Sequence, residues 1–201
     1  MNIFLYGQYD TFSHGKNDKN SPILIDIFDI TGIYFINFFK DPIYKKIYYT
    51  TSDKNKNELT INRCEIDGTN NEIIISDGLS LIEGMTLDYK NQILYWIDSE
   101  LIHIEMTSLN CECNLPGCRT EYCRKILIEL DVQDKPRAIT VGGGYIFWTD
   151  WSDNNPRIAR ADQDGTGIFI VVQVGIGTIQ NIIYAIVLGE SPSCFGIKNA
   201  S

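Results

Sequence analysis

The sequence has 201 residues, of which 44% are hydrophobic and 21% are charged, and its formal net charge at pH 7 is −9. This composition suffices for one substantial core and does not fit an intrinsically disordered chain. Because the balance is acidic and no stripe of Lys and Arg could displace the counterions of a phosphate backbone, we expect no nucleic-acid partner.

Short apolar runs separated by polar turns begin near the N-terminus. Residues 3–9, 22–27 and 34–39 are rich in Ile, Phe, Leu and Tyr, which favours three strands. Residues 1–6 lack the basic start and the apolar stretch of a signal peptide. We therefore expect a fragment of a longer chain or an incomplete gene model.

An aromatic strand, a turn and a second strand occur three times in succession. The aromatic strands contain Tyr48, Tyr95 and Phe147, which recur at intervals of 47 and 52 residues. Two of the second strands lead into Asp-Gly, a pair that accepts the positive φ values of a tight turn. Periods of about 40 to 50 residues with about four short strands each are typical of the blades of a β-propeller.

Further strands complete each repeated unit. Residues 72–76 and 124–130 favour a third strand, and residues 83–88 and 136–141 favour a strand that leads into the next aromatic hairpin. No segment has a convincing helical pattern. We therefore predict an all-β fold, a single β-propeller domain over residues 1–201, with units at approximately 3–45, 46–92, 93–145 and 146–190.

Four of the six cysteines lie in a short insert at residues 111–123. Their spacing lacks the C-x2-C pairs of a usual zinc site, so we expect disulfides in an oxidising compartment, with a metal site or free thiols as alternatives. The candidates are Cys111, Cys113, Cys118 and Cys123, which allow three pairings that the sequence does not distinguish. Cys64 occupies a repeat position that favours a buried thiol.

Residues 168–188 carry no Asp, Glu, Lys or Arg and are long enough to cross a bilayer. The alternative is two buried strands, at 168–174 and 182–188, joined by a turn. Gln173, Gln180 and Asn181 would be costly in the middle of a membrane, so we favour the strands.

Asp162 and Asp164-Gly165 resemble the start of a calcium loop. The twelfth position of such a loop would be Gln173, where an EF-hand needs Glu. A repeated hairpin turn is therefore the favoured interpretation, and we predict no metal site.

The sequence offers no constellation that would support catalysis. His14 and His103 are the only histidines, and no Ser or Cys can be matched to either together with a third orienting residue. Carboxylate pairs cannot be distinguished from surface charge. We expect no enzymatic activity and no cofactor.

The repeated string of an aromatic residue, Trp, Thr and Asp, followed by Ile-x-Arg and Asp-Gly, resembles the YWTD (class B) repeat of the low-density-lipoprotein receptor family. The third repeat, with I-F-W-T-D-W and then P-R-I-A-R-A, most resembles the propellers of the large receptor-related proteins. The resemblance covers roughly residues 3–172. It implies a ring of six blades, of which about four are present, although four units closing on themselves is an alternative.

The resemblance also implies which residues hold the blades together. These structural motif residues are Tyr48, Tyr49, Thr50, Arg63, Tyr95, Trp96, Asp98, Phe147, Trp148, Thr149, Asp150 and Arg160. The sequence departs from the family pattern where Thr51 replaces Asp, Ile97 replaces Thr, Met106 replaces Arg and Cys111 replaces Gly. We expect these departures to weaken hydrogen bonding between blades more than ligand recognition.

The resemblance implies a non-catalytic propeller that binds or releases a protein ligand in the ectodomain of a single-pass endocytic or signalling receptor, next to EGF-like modules. Trp151, one residue beyond the motif, is the candidate ligand contact. His103 could titrate in acidic endosomes, although a surface histidine is the favoured interpretation. The alternatives are a basement-membrane adhesion module of the nidogen kind and, less favoured, a calcium-dependent hydrolase propeller.

Overall fold

A computed structural model describes residues 33–41, 43–53, 58–110, 123–173, 183–188 and 195–199. The strands at 33–40, 183–188 and 195–199 are described by their backbone alone. The predicted strands at 3–9 and 22–27, His14, Cys111, Cys113, Cys118 and Cys194 lie outside these ranges.

The regular elements of the described residues are fourteen β-strands, which agrees with the predicted all-β class. Their bounds are β1 Ile33–Lys40, β2 Lys46–Asp53, β3 Glu58–Glu65, β4 Glu72–Ile75, β5 Ile82–Asp88, β6 Ile93–Asp98, β7 His103–Ser108, β8 Lys125–Glu129, β9 Pro136–Gly142, β10 Tyr145–Asp150, β11 Arg157–Asp162, β12 Phe169–Gln173, β13 Ile183–Leu188 and β14 Phe195–Asn199.

Consecutive strands pair antiparallel in three four-stranded sheets. Sheet 1 contains β1 to β4, sheet 2 contains β5 to β8, sheet 3 contains β9 to β12, and β13 pairs with β14. The first strands lie next to one another: β1 against β5, β5 against β9, and β9 against β13. Sheets that meet through their first strands radiate from a common centre, so the predicted partial β-propeller is confirmed.

The sheets and the sequence units differ in phase by one strand. Each aromatic strand is the second strand of its sheet, because it pairs with the strand that precedes it: β2 with β1, β6 with β5, and β10 with β9. A sequence unit that begins with the aromatic strand therefore ends with the first strand of the next sheet.

Neighbouring sheets share two apolar cores. The first joins Tyr48, Ile61 and Ile75 of sheet 1 to Leu94 and Trp96 of sheet 2. The alternation of side chains along a strand explains this arrangement, since adjacent aromatic positions of one strand point to opposite faces of the sheet.

The second core has the same construction. It joins Tyr95, Ile97 and Ile104 of sheet 2 to Ile146 and Trp148 of sheet 3. One aromatic position thus faces the following sheet and the next aromatic position faces the preceding sheet, which ties consecutive sheets together along their whole width.

The first strands of sheets 2 and 3 approach too closely for a side chain at Gly84. A Cβ atom there would lie 2.5 Å from the carbonyl oxygen of Arg137 and 3.2 Å from the Cα of Ala138. Glycine is required at this position by space rather than by backbone conformation.

The uncharged segment after residue 167 contains strands. Residues 169–173 form β12 and residues 183–188 form β13, so both segments are strands as predicted. The expected burial is wrong for β12, the outer strand of sheet 3, because Phe169 is 58% and Ile170 is 41% exposed. The predicted turn between them lies outside the described residues. Among the described residues, no helix is long and apolar enough to cross a membrane.

Candidate functional site

The motif aromatic residues are buried. Tyr95, Trp96 and Trp148 are at most 1% exposed. Burial raises the pKa of Tyr95 to about 12, and burial likewise raises the pKa of Tyr49 to about 12, because the ionised phenol loses its hydration. These side chains pack sheets together and are not available to a ligand.

Asp98, at the end of the second strand of sheet 2, fastens the segment that joins sheet 1 to sheet 2. Its Oδ2 accepts a hydrogen bond from Ser80 N at 2.7 Å, and its Oδ1 accepts one from Leu81 N at 3.0 Å. Oδ1 also accepts bonds from the N–H groups of Glu100 and Leu101 in the following turn. The carboxylate is fully buried, so these bonds replace its lost hydration.

Asp150 performs the same task in sheet 3. Its Oδ1 accepts bonds from Lys135 N at 2.8 Å and Ser152 N at 2.9 Å. Its Oδ2 lies 3.1 Å from Nε of Arg157, whose Nη2 also bonds both oxygens of Asp134. Burial and the neighbouring Asp150 raise the pKa of Asp134, which the Arg157 guanidinium only partly offsets.

Two of the departures from the motif, Ile97 and Thr51, make contacts that differ from those of the motif residues. In sheet 3 the Thr149 hydroxyl accepts the N–H of Ala138 at 3.0 Å, next to an irregularity in the β9–β10 pairing. In sheet 2, Ile97 has no oxygen there and instead belongs to the second apolar core. In sheet 1, Thr51 lacks a carboxylate, and its hydroxyl bonds the hydroxyl of Thr60 at 2.7 Å.

The motif arginines occupy equivalent places with different partners. Arg63 donates from Nε to Glu72, its cross-strand neighbour, at 2.8 Å. Arg160 is paired with Phe169 instead, and its guanidinium lies 3.9 Å from the ring centroid of Tyr145 and 5.4 Å from that of Phe169. Both side chains act within their own sheet, as cross-strand ties.

Trp151 lies at the rim between sheets 2 and 3 and is partly exposed. Its backbone N–H donates to Lys135 O at 2.9 Å. The guanidinium of Arg137 lies 5.5 Å from the indole centroid and forms an ion pair with Glu83 of the neighbouring sheet. The Arg137–Glu83 ion pair joins the first strands of sheets 2 and 3. The same guanidinium holds the Trp151 indole at the rim on which Asp98 and Asp150 lie.

The Asp-Gly sequences form turns of one construction. Asp67 Oδ1 accepts bonds from the N–H and hydroxyl of Thr69, and Asp164 Oδ1 accepts the equivalent bonds from Thr166. In each case the threonine hydroxyl bond, followed by the backbone bond, lowers the pKa of the carboxyl group. Gly165 has φ of 90° and packs against Leu127 of sheet 2. The turn interpretation therefore holds, and the turn secures the contact between sheets.

A buried charge cluster in sheet 2 was not anticipated from the sequence. Glu105 is 2% exposed and lies opposite Trp96. It bonds both Nε and Nη2 of Arg124, and Nε2 of His103 lies 2.8 Å from its Oε1. His103 is thus partly buried and paired, which corrects its assignment as a surface histidine. Within the described ranges, no cluster of His, Cys, Asp and Glu could hold a metal ion.

The described cysteines have two different states. Cys64 is a free thiol and 1% exposed, so the predicted buried thiol is confirmed. Burial, and secondarily the charges of Asp67 and Glu65, raise the pKa of this thiol. Cys123 is disulfide-bonded.

No model of a known protein family matches the sequence. Among curated proteins, the chain is 29% identical over 119 residues to the human low-density lipoprotein receptor-related protein 5-like protein, which covers 58% of this chain and 42% of that protein. It is 33% identical over 120 residues to the vitellogenin receptor Yl of Drosophila melanogaster, covering 59% of this chain and 5% of the receptor. The chain thus spans less than half the length of either relative.

Solved structures show the same likeness. A chain in the crystal structure of a nidogen/laminin complex aligns with a TM-score of 0.59 and 25% identity, covering 77% of this chain and 52% of that chain. Regucalcin of Agrobacterium tumefaciens aligns with a TM-score of 0.55 at 13% identity, covering 79% of this chain and 50% of its own, which is a likeness of fold alone. The chain therefore carries a partial β-propeller of the YWTD type, the type found in the low-density-lipoprotein receptor family.

Proposed function

We propose that this chain is a non-catalytic scaffold that presents a protein-binding surface in an extracellular, receptor-related protein. The observation that carries the proposal is how the motif side chains are used. Asp98, Asp150, Trp96 and Trp148 are at most 1% exposed, and both carboxylates bond the segments that join or turn the strands. Because the repeated motif side chains hold the sheets together, we expect the loops to contact the ligand.

Trp151 is the ligand contact that we propose. The rim on which it lies is formed by residues 76–81, 99–102, 130–135 and 151–156, and it contains the exposed Leu81, Leu101 and Val132. Aromatic side chains held by a neighbour contribute strongly to protein interfaces because little side-chain entropy is lost on binding. Arg137 provides that support by lying over the indole.

The outer part of sheet 3 supports the proposal of further blades. Ile75, Ile128 and Val172 occupy the same register position in the outer strands of sheets 1, 2 and 3. Their exposures are 0%, 4% and 38%. The first two are covered by the following sheet, whereas the described part of the sheet after sheet 3 is the pair β13 and β14. We propose that further strands cover Val172 in a longer protein, where EGF-like modules and a single membrane span complete a receptor.

There are two alternatives to this function, an adhesion module and a calcium-dependent hydrolase. The likeness to the nidogen chain at 25% identity favours an adhesion module as the second candidate, and laminin is then the partner to examine. The calcium-dependent hydrolase is less favoured, since the Asp67 and Asp164 carboxylates are already engaged by their own turns.

A binding experiment separates these functions. The chain, secreted behind a heterologous leader so that its disulfides form, is used to select binders from a displayed peptide library. We expect selected peptides to bind wild-type protein and to lose at least about tenfold in affinity with Trp151→Ala, which corresponds to about 1.4 kcal/mol. Tyr44→Ala is the matched control, because Tyr44 is 53% exposed on the opposite rim.

Three outcomes would count against the proposal. Peptides that respond to Tyr44→Ala but not to Trp151→Ala would place the binding surface elsewhere. Tight binding of laminin that survives Trp151→Ala would favour the adhesion module. Calcium-dependent hydrolysis of esters or lactones by the same preparation would overturn the non-catalytic assignment.

A further inference from the structure

Sheet 2 differs from its neighbours in two features that meet at one residue. Its β7–β8 connection comprises residues 109–124, whereas the equivalent connections of sheets 1 and 3 comprise residues 66–71 and 163–168. Sheet 2 also has a buried acid, Glu105, at the register position held by Asn62 in sheet 1 and Ala159 in sheet 3.

Arg124 connects these two features. It follows the disulfide-bonded Cys123 directly and ends the long connection. Its guanidinium bonds both oxygens of Glu105 and lies 5.6 Å from the ring centroid of Trp96. A buried carboxylate is costly unless it is paired and hydrogen-bonded, so Glu105 depends on Arg124 being held where it is.

Arg124 also reaches the segment that joins sheet 1 to sheet 2. Nη1 donates to Asp77 O at 2.6 Å and Nη2 donates to Gly78 O at 2.7 Å. Gly78 has φ of 61°, and a Cβ there would lie 3.1 Å from Nη1 of Arg124. The planar fork of one guanidinium therefore fits a buried acid on one side and a backbone turn on the other.

We propose that the disulfide at Cys123 holds Arg124 as a clamp on the joint between sheets 1 and 2, so that reduction of the disulfide loosens the joint. The reaction is thiol–disulfide exchange with a small thiol such as glutathione. Two thiols are oxidised to one disulfide, and Cys123 and its partner cysteine each gain one electron and one proton. The joint between sheets 1 and 2 is then sensitive to the redox state of Cys123.

Reciprocity gives the first test. If the disulfide stabilises the clamp, the clamp stabilises the disulfide by the same free energy. The secreted chain is equilibrated in glutathione redox buffers, its thiols are alkylated, and the oxidised fraction of the peptide containing Cys123 is measured by mass spectrometry. We expect Arg124→Gln to make reduction about tenfold easier, a change of about 30 mV in reduction potential. Lys125→Gln, which removes an exposed charge one residue later, should leave the equilibrium unchanged.

Hydrogen exchange of residues 77–81 gives the second test. Reduction should accelerate amide exchange at residues 77–81 in the wild-type chain and should cause no further acceleration there in Arg124→Gln. Exchange in the hairpin of β10 and β11 should not change on reduction. If Arg124→Gln fails to fold, Arg124→Lys keeps the charge and loses the fork, and should show the same loss of coupling. Equal disulfide stability in wild type and variant, or exchange at residues 77–81 that ignores reduction in the wild type, would overturn the proposal.

Discussion

The carboxylate of Asp98 accepts a hydrogen bond from the backbone nitrogen of Ser80, which lies 18 residues earlier in the chain, at 2.7 Å. The bond ties the end of a second strand to the segment that leads into the first strand of the same sheet. Asp150 makes the corresponding bond to Lys135. In sheets 2 and 3 the motif aspartate thus fixes where the sheet begins relative to the sheet before it.

Replacing Asp98 with Ala should destabilise the fold strongly. The substitution leaves buried N–H groups without an acceptor, and we expect a loss of about 3 kcal/mol in the free energy of unfolding. Denaturant titration of the secreted chain measures this. Asp153→Ala is the control, because Asp153 is exposed and makes only a surface ion pair with Lys135, and it should cost less than about 1 kcal/mol. Equal effects of the two substitutions would contradict the assigned role.

Alanine substitutions at Gly165 and Gly143 distinguish the cost of backbone strain from the cost of a close contact between sheets. Both have positive φ, of 90° and 61°, but a Cβ at Gly165 would lie 2.5 Å from Leu127 O whereas one at Gly143 meets nothing within 4 Å. Gly143→Ala should cost about 1 kcal/mol from conformation alone, and Gly165→Ala about 2 kcal/mol more, as the turn is forced off sheet 2. Thermal unfolding compares the two, and equal losses would mean that the turn does not contact sheet 2.

Much of this architecture is predictable from the sequence because it is periodic. The spacing of Tyr95 and Phe147 identifies the repeat, and alternation along the strand explains why Trp96 and Trp148 are buried. The clamp at Arg124 is not predictable in this way. Its contact with Glu105 joins residues 19 positions apart across an insert of irregular sequence. Its contact with Gly78 joins sheet 2 to the segment that connects sheets 1 and 2.

Two further features, the Arg137–Glu83 ion pair and the phase of the sheets, are not predictable from the sequence for the same reason. The ion pair of Arg137 with Glu83 spans 54 residues and depends on how closely two first strands approach. No local sequence pattern predicts how closely β5 and β9 approach. Gly84 is required by that approach, but the sequence alone does not show which strand lies next to it. The phase of the sheets is likewise set by pairing rather than by the order in which the strands occur.

Alkaline conditions should destabilise the fold through its buried phenols. Burial raises the pKa of Tyr49 and Tyr95 from 10.0 to about 12, so the folded chain holds these protons more tightly than the unfolded chain. Their contribution to stability is complete below about pH 10 and is lost as the pH rises from 10 towards 12. Ultraviolet titration should show tyrosinate formation near pH 12 that diminishes in Tyr95→Phe. A variant that instead removes a tyrosinate titrating near pH 10 would contradict the burial of Tyr95.

Ile102 is a strained residue whose replacement should be favourable. It has φ of 58° in the turn between β6 and β7, a region that β-branched residues rarely adopt. Ile102→Asn should raise the free energy of unfolding by about 1 kcal/mol, since Asn tolerates this conformation. Leu101→Asn, at the exposed preceding position, should be nearly neutral. A loss of stability in Ile102→Asn would show that packing of this side chain outweighs the strain.

The radial arrangement of the sheets is tested most directly by a nuclear Overhauser measurement between sheets 2 and 3. A Cβ at Gly84 would lie 3.2 Å from the Cα of Ala138, although the two residues belong to different sheets. We predict a strong cross-peak between the Hα protons of Gly84 and the Hα of Ala138, together with the cross-strand peaks within each sheet. Intact cross-strand peaks with no signal between Gly84 and Ala138 would contradict the propeller and favour separate or continuous sheets.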